Sequence, residues 1–235
     1  KDNSEGNAFT GTAFAEVRFL KDFRFTVNVG TGVTGTRHTQ MNNMYYGQFA
    51  TNGGTLYKEH ERMFYINLQQ LLNYRHAFAG VHNVDILLGH ETYRRNTTSV
   101  SGYKTKLFSD TNLELGGAVI DGQQAGSGRS EYNNEGYFIR AQYDYDDRVF
   151  VSGSFRRDAS SRFHKDHRWG NFWSAGAGWL MSRESWFNVP WMNLLKLKAS
   201  VGSQGNDGIP DYLYTDTYSI SNNEGQVAVT FRTKG

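Results

Sequence analysis

Over most of its length this chain alternates, with apolar residues at every second position and polar or small residues between them. In 137–145, Tyr137, Ile139, Ala141, Tyr143 and Tyr145 share one face, and Phe138, Arg140, Gln142 and Asp144 the other. Leu195, Leu197, Ala199 and Val201 alternate in the same way with Lys196, Lys198, Ser200 and Gly202, and Phe23, Phe25, Val27 and Val29 with Arg24, Thr26, Asn28 and Gly30. A period of two belongs to a β-strand with one apolar face; a helix would need a period of 3.6. The pattern predicts about eight strands, at 11–20, 23–36, 59–74, 82–100, 131–145, 148–157, 168–181 and 194–203. One or two more are expected near 211–220 and 226–232. Several are long against the roughly 5–6 residues usual in a soluble sheet.

The connections narrow the choice further. Lys21-Asp22 and Tyr145-Asp146-Asp147 read as tight turns, and 75–81 and 182–193 as moderate ones. Between them fall long polar stretches, 37–58, 101–130, 158–167 and everything after Gln204. Short and long connections alternate, which collects the long ones at one end, the layout of an outer-membrane barrel. Soluble sandwiches and lipocalin-like barrels also alternate, with the apolar face inward. The polar face here is as rich in Gly, Ser, Thr and Asn as in charge, which suits a watery lumen. The apolar face carries Trp and Tyr, as interfacial girdles require. On the strand at 168–181 this places Trp169, Trp173, Ala175, Ala177, Trp179 and Met181 outward, and Gly170, Phe172, Ser174, Gly176, Gly178 and Leu180 inward.

Composition agrees. Phe, Tyr and Trp number 16, 14 and 5, with 26 Gly and only 2 Pro, which excludes a disordered chain. No apolar run approaches the ~18 residues of a spanning helix. Absence of cysteine removes disulfides and thiolate chemistry. The net charge of +2 is spread without a like-charge run, which argues against nucleic acid. His164 and His167 lack a third ligand, and Asp144, Asp146 and Asp147 lack the glycine and closing Glu of a calcium loop. Gly176-x-Gly178 lacks the third glycine of a dinucleotide fingerprint, and no Gly-x-Ser-x-Gly occurs. No reaction, metal or cofactor is indicated.

Residues 148–181 carry a more specific signal. Arg156 or Arg157, Asp158, Ser160, Ser161, Arg162 and Phe163 are followed by Arg168, Gly170, Phe172, Ser174, Gly178 and Trp179. This resembles the SusC-like family of TonB-dependent outer-membrane transporters, whose strand ends in an Arg-x-Asp-Gly-Ser-Ser-Arg-Phe loop before a strand closing Ala-Gly-Trp. The chain departs from that pattern at Ala159, His164 and Trp173. Ser185-Trp186-Phe187, and then the run from Leu195 to Asp207, resembles the family's Leu-Lys-Leu-Arg-x-Ser-x-Gly-x-Thr-Gly-Asn strand and loop. Ala13-Phe14-Ala15-Glu16 with Phe19-Leu20-Lys21-Asp22-Phe23 is similar in style. The likeness spans most of 11–215 and is specific over 157–206.

The resemblance implies an all-β fold, an antiparallel transmembrane β-barrel of which about eight to ten strands are present, out of roughly 22 in a full barrel. The whole of 1–235 then reads as one barrel segment, without the plug that contacts TonB, and Gly235 stands where a bacterial barrel would end in an aromatic. A nutrient importer in the outer membrane of a Gram-negative bacterium is implied, taking up an oligosaccharide or peptide. Its partners would be outer-membrane lipid, a SusD-like surface lipoprotein, and the TonB complex through the plug. Asn42, Asn43, Tyr45 and Tyr46, with Asn206, Asp207 and Tyr212 on the last loop, are the candidate ligand-binding residues. A soluble carbohydrate-binding β-domain and a small structural barrel are the rival readings.

Overall fold

The structure, a computed structural model, describes residues 1–210 and the backbone of 217–223 and 226–232; for 119–124 it describes the backbone alone. Eight antiparallel strands pair strictly in chain order. They are β1 (Asp2–Phe19), β2 (Phe23–Asn42), β3 (Thr55–Phe78), β4 (His82–Leu107), β5 (Ala118–Tyr145), β6 (Val149–Ser160), β7 (Trp169–Leu180) and β8 (Lys196–Ser203). A separate hairpin joins β9 (Thr217–Asn223) to β10 (Gln226–Arg232). The expected all-β antiparallel fold is what forms.

Most of the first six strands run longer than expected, while β7 and β8 are slightly shorter. β1, β2 and β3 extend well past 11–20, 23–36 and 59–74, and β5 begins at Ala118 rather than 131. The stretches 37–58 and 101–130 are therefore mostly strand, and their loops shrink to 43–54 and 108–117. A strand wet on both faces has no reason to alternate, so its polarity imitates a loop. The connection at 75–81 is likewise tighter than expected, because β3 continues to Phe78.

Three hairpins turn on Leu20-Lys21, Ala79-Gly80 and Asp146-Asp147. Both central residues of each have positive φ, between 48° and 71°. Two-residue hairpins favour such turns because their twist matches that of the strands. Arg148 N donates to Tyr145 O at 2.8 Å across the last of them. The fourth connection, 181–195, is longer and opens with a short 3-10 turn at Met181–Arg183.

Two compact units divide the chain, Lys1–Ala13, Val29–Asn67 and Tyr93–Glu131 in one, and Phe14–Asn28, Leu68–Thr92 and Tyr132–Gly235 in the other. The first holds the only buried apolar cluster among the described residues, Met41, Leu56, Leu107 and Ala118, with Met44, Leu113 and Leu115 packed on it. In the second, large apolar side chains stay exposed along the sheet, among them Tyr137, Val151, Phe155, Trp169, Trp173, Trp179 and Val201. A soluble barrel would bury that stripe. This sheet displays it.

Candidate functional site

Strand register fixes which residues share a face. Tyr143, Val151, Ala177 and Ala199 form one row across β5–β8, and Tyr145, Val149, Trp179 and Leu197 the row beside it. Between those rows, on the other face, lie Asp144, Phe150, Gly178 and Lys198, and beyond them Gln142, Ser152, Gly176 and Ser200. Trp169 and Trp179 thus share the exposed apolar face, and Gly170, Gly176 and Gly178 the polar one. Aromatic clusters edge the apolar face at both ends. Tyr137 stacks on Trp169 at 6.1 Å and on His90 at 4.6 Å, and Trp179 meets Trp186 at 6.0 Å.

The polar face of the second unit is laced by hydrogen bonds from β2 to β6. Asn28 Nδ2 donates to Gln69 Oε1 at 3.4 Å, and Gln69 Nε2 donates to Glu91 Oε1 at 3.1 Å. Arg156 reaches Glu91 Oε2 at 3.3 Å and holds Asp158 through Nε at 2.7 Å. Nearer the tight turns, Arg75 clamps Asp85 Oδ2 at 2.6 and 3.0 Å, and Asn73 donates to Asp85 Oδ1 at 2.7 Å. Ion pairs of this kind keep a polar wall ordered without closing it to water.

A cavity of ≈ 880 Å³ lies on this face, lined by Arg75, Asp85, Asp144, Lys196, Lys198 and Ser200 among others. Gly176 and Gly178 form part of its floor, and a Cβ at Gly176 would meet Ser152 Oγ at 3.0 Å. Lys196 Nζ sits 3.9 Å from the centre of the Phe150 ring. Paired charges of both signs on a wide polar floor suit a hydrated, zwitterionic or hydroxyl-rich ligand, or the packing of another polar segment.

The loop residues named from sequence divide into supports and exposed groups. Asn42 Nδ2 donates to the buried Thr55 Oγ1 at 2.7 Å, closing the base of the 43–54 loop. Asn43 Oδ1 accepts from the backbone of Tyr45 at 2.7 Å and Tyr46 at 3.3 Å, shaping the turn that presents both rings. Tyr45 and Tyr46 are 69% and 73% exposed. Asn206 Oδ1 accepts from Gly208 N at 2.8 Å, again as a turn former.

Asp207 ties three segments together. It accepts from Tyr132 Oη at 2.5 Å and Ser160 Oγ at 3.0 Å, and its carbonyl accepts from Arg162 at 2.8 Å. The Tyr132 hydroxyl, the Ser160 hydroxyl and the Arg162 charge outweigh partial desolvation and hold its carboxyl below the ordinary carboxylate value. Asp207 therefore links the Arg-Asp-x-Ser-Ser loop to the segment after β8. Tyr212 lies outside the described residues.

The sequence did not single out the groove of the first unit. There the segment 108–117 folds back onto the strands, with Lys58 Nζ donating to Glu114 Oε2 at 2.8 Å. Leu115 occupies the space a side chain at Gly102 would need. The resulting cavity of ≈ 1230 Å³ is lined by Arg37, Lys58, His60, Lys104 and Leu115, among others. All of these but His60 fell in stretches read as loops, so no face was assigned to them.

No protein-family model matches the chain. TonB-dependent receptor SusC of Bacteroides thetaiotaomicron is 28% identical over 238 residues, 96% of this chain and 22% of that protein. TonB-dependent receptor P39 of Formosa agariphila is 41% identical over 76 residues, 32% of this chain and 7% of that receptor. The RagAB peptide transporter superposes on the whole chain with a TM-score of 0.91 at 21% identity, over 26% of its own chain.

The chain is similar to SusC and other TonB-dependent receptors over most of its length. It spans about a fifth of the length of SusC. At 21% identity the superposition speaks for the fold, and it places the eight strands of this SusC-like chain as part of a larger barrel wall. SusC, P39 and RagAB are receptors and transporters rather than enzymes.

Proposed function

We propose that the chain forms part of the wall of an outer-membrane nutrient importer in a Gram-negative bacterium. The observation that carries this reading is the division of the sheet into two faces. One is an exposed apolar band edged by Trp and Tyr; the other is polar and cross-linked by hydrogen bonds from β2 to β6. In lipid, a continuous antiparallel wall satisfies every backbone group through its neighbours. The inner face then offers a wet passage, which the TonB complex would open through a plug, and a SusD-like surface lipoprotein would cover the loop end.

A peptide is the substrate class favoured, because Arg75, Asp85, Lys196 and Lys198 set charges of both signs around one cavity. RagAB is a peptide transporter, which supports the same reading. An oligosaccharide is the second reading, favoured by the exposed rings of Tyr45 and Tyr46, faces on which sugars stack. Tyr45, Tyr46, Asn42, Asn43, Asn206, Asp207 and Tyr212 remain the loop residues proposed around the ligand, with Asn42, Asn43, Asn206 and Asp207 acting as supports. Growth of a deletion strain on oligopeptides or on oligosaccharides as sole nutrient tests the choice. Loss of growth on peptides alone supports the first reading, loss on glycans alone the second, and unchanged growth on both removes the importer role.

A further inference from the structure

A smaller cavity, of ≈ 350 Å³, lies on the polar face of the second unit, where β6 and β7 run into the 161–168 connection. Its floor is β7 at Gly170 and Phe172. Phe172 stands six positions from Gly178, about 20 Å along the strand from the wide cavity around Lys198. Three segments wall it: the end of β6 with Asp158, the connection with Phe163, His167 and Arg168, and the segment after β8 with Asn206 and Asp207. Asp207 ties the last of these to the others through Tyr132, Ser160 and Arg162. The walls therefore hold one another in place.

Part of the lining is apolar. The Phe172 ring fills the space that a side chain at Gly170 or at Gly205 would need, so the two glycines let the ring lie where it does. The rest of the lining bonds hydrogen. Both of its carboxylates are already compensated, Asp158 by Arg156 Nε at 2.7 Å and Asp207 by the Tyr132 and Ser160 hydroxyls. The donors are not. Arg168 engages only Nε, donating to Phe163 O at 3.2 Å. Among the described residues the Asn206 amide N–H groups and the His167 ring have no side-chain or backbone partner.

An apolar side chain in this pocket would strip water from these polar groups without replacing it, which is unfavourable. An anionic group would meet Asp158 and Asp207 against the one arginine, and a cationic group would meet Arg168 beside carboxylates that are already paired. A pyranose fits on each count. It sets C–H groups against an aromatic ring, and each hydroxyl both donates and accepts. The volume, at the low end of the ~300–1,000 Å³ usual for small-ligand sites, suits a single ring.

We infer that this pocket holds one uncharged pyranose of an oligosaccharide substrate, with Phe172 against its C–H groups and Asp158, Arg168 and Asn206 on its hydroxyls. The inference rests on the second substrate reading above, the oligosaccharide, and adds to it a site and a preference for neutral sugars. The test uses the full-length protein in detergent and thermophoresis with labelled oligosaccharides of glucose, mannose, xylose or galactose, and with oligogalacturonate as the acidic counterpart. The wild type should bind at least one neutral chain, and oligogalacturonate at least tenfold more weakly. Phe172→Leu, which keeps apolar bulk and removes the ring, should weaken the neutral chain at least fivefold. Asn206→Asp, which keeps the acceptor for Gly208 N and removes the donors, should weaken it about tenfold.

Unchanged binding by the folded Phe172→Leu and Asn206→Asp proteins would overturn the inference and leave the oligosaccharide reading standing. Heat-modifiable gel migration reports folding, and Asn206→Asp decides alone if Phe172→Leu does not fold. Oligogalacturonate bound as tightly as the neutral chain would overturn the inference as well. A wild type that binds none of these chains would remove the oligosaccharide reading itself, and the inference with it.

Discussion

Replacing Ala175 by Arg places a charge near the middle of the outward face. Trp169 and Trp179 are ten positions apart on that face, about 33 Å along the strand and about 25 Å along the normal at a tilt of ~40°. Ala175 stands four positions from Trp179 and six from Trp169, about 10 and 15 Å from the two interfaces. Its row holds Ala141, Gly153 and Val201, with no carboxylate to receive the charge. Arginine near the midplane should destabilise the fold by about 2–4 kcal/mol, roughly 30- to 1,000-fold in the folding equilibrium. Ala177→Arg, about 5 Å from the lower interface, should be milder because its side chain can snorkel. Ser174→Arg, one residue away on the polar face, loses only an exposed 2.6 Å hydrogen bond to Ser154, about 1 kcal/mol or less. Folding into phospholipid vesicles across a urea series, read by heat-modifiable migration, ranks the three. If Ser174→Arg lowers the midpoint as much as Ala175→Arg, the face assignment is wrong.

A cysteine at Asn43 should be labelled on intact cells by a membrane-impermeant maleimide and one at Asp146 should not; equal labelling at both sites contradicts the topology. The Tyr132–Asp207 contact depends on an ionised carboxyl whose folded pKa is depressed. Its contribution is therefore complete above the ordinary carboxylate value and lost as pH falls through the lower folded value. Hydrogen exchange over 203–208, corrected for the intrinsic rate, should stay protected through mild acid and open only below that value; opening near neutrality would refute the contact. The ring of Phe138 fills the space a side chain at Gly89 would need, and Arg156 lies over the same ring at 5.2 Å. Gly89→Ala should destabilise by about 1–3 kcal/mol through overpacking, measured in the same urea series; a neutral effect would mean that the ring moves freely.

Fold and face were legible wherever one side of a strand is apolar. Alternation from Tyr137 to Tyr145 and from Trp169 to Trp179 marks rows that the paired strands bring into line. It failed at Arg37, Lys58 and Lys104, where strands continue with both faces wet. The loop residues were half legible. Exposed Tyr45 and Tyr46 stand out in any polar stretch, but Asn43 and Asn206 look alike as ligands or turn formers until their backbone partners are seen. Arg156–Glu91 joins residues 65 positions apart, and no local pattern announces it.

The central claim is that odd-numbered residues of β7 meet lipid and even-numbered ones meet water. Spin labels placed singly at Gly170, Ser174, Ala175, Gly176 and Ala177 of the protein in bilayers measure this directly, through collision with dissolved oxygen and with a water-soluble nickel chelate. Oxygen accessibility should peak at Ala175 and Ala177, and nickel accessibility at Gly170, Ser174 and Gly176. Peaks in the reverse order, or no alternation with period two, would contradict the account.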